Sequence, residues 1–60
     1  MNKMDEWVKA FYNGGVPDSE VACMTDEEMR ELVKRTVKGG IAIKACAMQV
    51  LREKRDKLRQ

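Results

Sequence analysis

The 60 residues, 43% hydrophobic and 37% charged, form one small domain spanning residues 1–60; they exclude an intrinsically disordered chain and, with no run near ~20 apolar residues, a membrane span. A chain this short buries only about 60% of the surface it exposes unfolded, so a partner or a second copy is expected to contribute to its stability. The net charge of +2 conceals a split: residues 1–29 carry two basic and seven acidic side chains, residues 30–60 ten basic and three acidic. Either the two halves face each other across the fold, or the basic half meets an anionic partner.

The first element is predicted at about residues 2–12. Met4, Trp7, Val8 and Phe11 recur at the i, i+3, i+4, i+7 spacing of an amphipathic helix, Asn2 can cap it, and Asn13-Gly14-Gly15 can stop it. All three aromatic residues, Trp7, Phe11 and Tyr12, fall in this helix, where they are expected to supply the main hydrophobic contribution. Pro17 then holds Val16 extended, and one helical turn from Glu20 to Cys23 serves as a connector with Val21 and Met24 pointing inward.

The second main helix has the clearest local signal. Thr25 followed by Glu28 reads as a capping box, and Met24 with Met29 stand where a hydrophobic staple would close over it. The helix is expected over about 25–38, inward on Met29, Leu32, Val33, Thr36 and Val37, with Gly39-Gly40 ending it. The acids Asp26, Glu27 and Glu28 could suggest a metal or catalytic cluster, but three carboxylates in a first helical turn are what the helix dipole favours.

The third helix is predicted at about 41–59. Ile43, Cys46, Ala47, Val50, Leu51 and Leu58 fall on one broad side, the expected core face, while Ile41, Ala45 and Met48 lie opposite and are expected to form an oligomer interface. Its first half is thus expected to be sandwiched between two neighbours. A basic stripe, Lys44, Arg52, Arg55 and Arg59, runs beside Met48 and completes the candidate partner-binding surface, with Arg52–Asp56 and Glu53–Lys57 expected as i, i+4 pairs. If the second and third helices form an antiparallel hairpin, Thr25 lies near residue 54 and the end of the third helix projects beyond the second. The fold expected is all-α, a three-helix domain built on that hairpin with the N-terminal helix packed on it.

Catalytic equipment is sparse. There is no histidine, and Cys23 and Cys46 have neither metal-site spacing nor enough company for a disulfide framework; both are expected to be small buried apolar side chains. Neither a dinucleotide fingerprint nor a phosphate-binding loop occurs, and a chain of this size is expected to have little room for a concavity of ~300 Å³. No enzymatic activity, metal or cofactor is expected. The turn before the third helix is similar in kind to that of a helix-turn-helix, yet Ile41, Ala42, Ile43 and Ala45 stand where polar base-reading side chains would be needed. The N-terminal stretch lacks an apolar signal region, so a cytoplasmic location is expected.

Two functional readings follow. One is a small protein-binding regulator, inhibitor or adaptor acting through the apolar and basic surface of the third helix as a homodimer, with five methionines suited to adaptable surfaces. The other is a nucleic-acid-binding regulatory protein making phosphate contacts from Arg52, Arg55, Arg59 and Lys44 with Lys34, Arg35 and Lys38, although a pI near 8.7 is modest for that role.

Overall fold

The computed structural model describes residues 2–60, and its helices are α1 (Lys3–Tyr12), α2 (Asp18–Val21), α3 (Asp26–Thr36) and α4 (Ile41–Leu58). The domain is all-α. α3 and α4 form the antiparallel hairpin, α1 packs on α3, and α2 packs on α4. The connector is therefore an element in its own right, and it begins at Asp18 rather than Glu20.

Local signals in the sequence are met by local hydrogen bonds. The Asn2 side chain accepts from the Asp5 amide at 2.9 Å, and the Ala10 carbonyl accepts from Asn13 and Gly15 amides where α1 ends. The capping box is complete: the Glu28 amide donates to Thr25 Oγ1 at 3.1 Å and the Thr25 amide donates to Glu28 Oε1 at 2.8 Å. α3 stops at Thr36, earlier than the glycine pair, because Val37 turns to extended backbone (φ −88°, ψ 121°).

The core contains Trp7, Val21, Met24, Met29, Leu32 and Val33, with Thr36 buried beside them. Thr36 donates its hydroxyl to the Leu32 carbonyl at 2.7 Å, and Trp7 Nε1 donates to Glu20 Oε1 at 2.9 Å, so neither polar group is left unpaired. Met24 and Met29, both fully buried, close over the start of α3 as the staple requires. Met24 and Met29 are thus core, as expected from their inward staple positions, while Met48 lines a groove between α3 and α4.

Several expectations change at α1 and α4. Only Trp7 of the three aromatics is buried; Phe11 and Tyr12 are 41% and 60% exposed and meet edge to face at a centroid distance of 5.6 Å. α4 faces inward along Lys44, Ala47, Met48, Leu51 and Arg55, so Met48 and Leu51 pack against the core while Ile43, Cys46, Val50 and Leu58 are exposed. Cys23 is exposed too, so neither cysteine is a core residue. α4 is covered on one side only, and the expected sandwich around its first half is not formed within the chain.

The split charge pattern closes on itself in part. Asp5–Arg35, Asp18–Lys54 and Asp26–Arg55 each join the acidic half to the basic half. The anticipated Arg52–Asp56 and Glu53–Lys57 pairs are replaced by Arg55–Asp56 at 3.0 Å and by a Gln49 to Glu53 hydrogen bond at 2.7 Å.

Candidate functional site

The hairpin aligns α3 and α4 with their inward faces together, which leaves a furrow along each flank of the contact. On one flank, Arg30, Val33 and Lys34 of α3 oppose Ile41, Lys44, Ala45 and Met48 of α4 around a groove of about 350 Å³. Its floor is apolar and its rim carries cations only. Among the described residues, Arg30, Lys34 and Lys44 make no ion pair. Ile41 is 89% exposed, far more than any other large apolar side chain of α4.

The structure thus gathers four of the expected surface residues, Ile41, Lys44, Ala45 and Met48, into one groove. It separates Arg55 and Arg59 from them. Arg59 Nε donates to the Ala22 carbonyl at 2.7 Å, and the guanidinium groups of Arg55 and Arg59 both donate to the Met24 carbonyl, at 3.3 and 3.4 Å. Arg55 also pairs with Asp26 and Asp56, and its side chain is only 11% exposed. These two arginines hold the end of α4 to the segment after α2, whose carbonyls have no helical amide to accept. The end of α4 is accordingly covered by α2 and its exit rather than left projecting.

Arg52, between the two groups, is exposed and makes no ion pair among the described residues, though it lies close enough to Asp26 to favour that carboxylate's charged form. The Arg55 hydrogen bond holds the Asp26 carboxyl below its ordinary value, and the Arg35 hydrogen bond does the same for Glu31. Both shifts belong to ion pairs that brace the fold, outside the groove.

Arg30 is the groove residue that sequence reasoning missed. Its signal was present: Arg30 and Lys34, at i, i+4, flank the buried stripe on the side of Val33, and only the register of α4 shows what they face. The opposite flank holds a second apolar groove of about 250 Å³ where Phe11 and Val37 approach Ala47 and Val50. The first groove, at about 350 Å³, exceeds the ~300 Å³ for which so short a chain is expected to have little room. Neither groove is lined by a carboxylate or thiol; the first offers the amines of Lys34 and Lys44, and the second the Thr36 hydroxyl, which donates to the Leu32 carbonyl. Among the described residues no cluster of three His, Cys, Asp or Glu side chains could hold a metal ion, and no helix is long and apolar enough to cross a membrane.

Comparison with protein-family models, curated proteins and solved structures returns no match.

Proposed function

We propose that this chain is a small non-enzymatic protein-binding module, a regulator, inhibitor or adaptor that works through the surface of α4. The observation that supports this reading is that α4, at 18 residues the longest helix, has no buried residue and leaves Ile41, Ile43 and Val50 each more than half exposed. Ile41 stands on the groove side of α4 among Arg30, Lys34 and Lys44, and Ile43 and Val50 on the opposite side; apolar surface left uncovered beside a cationic rim supports a contact with another protein. Nucleic-acid binding is supported less well. Of the seven cations that would make phosphate contacts, Arg35, Arg55 and Arg59 are engaged with carboxylates or backbone carbonyls, leaving Lys34, Lys38, Lys44 and Arg52.

The test is capture from a lysate of the source cell, with and without nuclease and at low and high salt. A protein retained after nuclease by the parent chain, and lost with Ile41→Asp, supports the reading. Loss of every retained species on nuclease treatment overturns it in favour of nucleic acid.

A further inference from the structure

Building on the protein-binding reading, we propose that the occupant of the α3/α4 groove is an acidic amphipathic helix of a partner protein. Its apolar residues would lie on Val33, Ile41, Ala45 and Met48, with its carboxylates against Arg30, Lys34 and Lys44.

Charge complementarity carries the choice. Three cations border an apolar floor, no acid lines the groove, and none of the three is neutralised by an ion pair among the described residues. An apolar helix alone would fill the floor but leave these cations facing its flanks. A helix with acids on both flanks pairs them while its apolar ridge displaces water. The dimensions agree. Ile41, Ala45 and Met48 mark about two turns of α4, roughly 10 Å at 1.5 Å per residue, which matches apolar anchors at i, i+4 and i+7 on the incoming helix.

The same observations disfavour the other occupants. Two copies meeting groove to groove would set Arg30, Lys34 and Lys44 of each against those of the other, a like-charge contact. Single-stranded nucleic acid binds where aromatic rings stack on bases, and none of the three aromatic side chains lines this groove: Trp7 is buried, and Phe11 lies along the opposite flank.

The test uses fluorescent helical peptides of about 18 residues, five turns, with leucines at i, i+3, i+4 and i+7 and glutamates on both flanks. A second peptide carries lysine for every flanking glutamate, and a third carries the leucines in scrambled order. The parent chain should bind the acidic peptide about tenfold or more tightly than either control, with amide shifts centred on Ile41, Ala45 and Met48. The double variant Lys34→Glu with Lys44→Glu, its helicity checked by circular dichroism, should reverse the preference between acidic and basic peptides. Because the peptide comparison is made on the parent chain, it stands even if that variant does not fold.

Equal binding of acidic and basic peptides, no binding, or shifts outside the groove would each overturn the proposal. So would a mass near twice 6.9 kDa with the same groove residues shifted and no peptide present, which assigns the groove to a second copy. Displacement of the acidic peptide by duplex DNA at equal charge would assign it to nucleic acid. A lysate protein captured through Ile41 but indifferent to the Lys34 and Lys44 reversal would leave the protein-binding reading standing and remove this one.

Discussion

The Arg55 guanidinium, near the end of α4, donates to the Met24 carbonyl at 3.3 Å, joining residues 31 apart in the chain at the point where α3 is about to start. This contact, with the Arg55–Asp26 pair and the neighbouring Arg59 bonds, fixes α4 against α2 and the start of α3. Arg55→Gln is therefore expected to lower the thermal midpoint by about 5 °C or more, through loss of charge-assisted bonds to a carbonyl and two carboxylates. Arg52→Gln should leave the midpoint within about 2 °C, because an exposed unpaired cation contributes little. Paired melts check both, and equal shifts would show that the arginines of α4 are interchangeable.

Acid should weaken the same corner. The Arg55 hydrogen bond, with the charges of Arg55, Arg52 and Arg59 assisting, holds the Asp26 carboxyl below the ordinary aspartate value of about 3.9. The folded state thus binds this proton less readily than the unfolded chain. Its stabilising contribution is fully present above the unfolded-state value and is lost as pH falls through the folded-state value. Glu31, held low by Arg35, acts in the same direction. Urea midpoints measured from neutral pH down into the acid range should fall less steeply for Asp26→Asn than for the parent.

Thr25→Ala removes the hydroxyl that accepts the Glu28 amide and is expected to cost about 1 kcal/mol. In a domain of this size that corresponds to a fall in the midpoint of roughly 4–8 °C. Partner binding should change only as far as the folded fraction does. Coincident melts of variant and parent would show that the cap is not what starts α3.

The Gly39-Gly40 pair offers substitutions of opposite sign. Gly39 has φ +132°, and a Cβ there would stand 2.7 Å from Ile43 Cδ1, so Gly39→Ala should destabilise by about 1–3 kcal/mol. Gly40 caps α4 with extended backbone, no side-chain bond and open space around a new Cβ, and the first turn of α4 has no acid. Gly40→Asp should therefore stabilise by about 1 kcal/mol, by supplying the missing cap, favouring the helix dipole and restricting the unfolded chain. Chemical denaturation of the two variants beside the parent checks both signs.

For the protein-binding surface, Ile41→Asp should leave the fold intact, since Ile41 is 89% exposed, while weakening partner capture about tenfold or more through faster dissociation. A biosensor trace and a melt on the same sample separate the two effects. A large fall in the midpoint would instead place Ile41 in the structural contact between α3 and α4.

What the sequence determined by itself is local. Asn2, Thr25 with Glu28, and the stop after Tyr12 act through hydrogen bonds between near neighbours, so the starts of α1 and α3 and the α3 stripe of Met29, Leu32, Val33 and Thr36 were legible from spacing, whereas α3 ends at Thr36, before the glycine pair. The rotation of α4 was not. Its apolar residues are spread around most of its circumference, so periodicity gives no decisive face, and the broad cluster of Ile43, Cys46 and Val50 points to the wrong one. Tertiary structure decided it by bonding Arg55 and Arg59 to the carbonyls of Ala22 and Met24, groups left without helical partners after α2. With α4 so placed, Met48 and Leu51 pack against the core, Arg55 and Arg59 lie away from the expected binding stripe, and Lys44 stands opposite Arg30 and Lys34. A basic groove with an apolar floor exists only once both helices are in register, because its two walls come from segments that no single helical period relates.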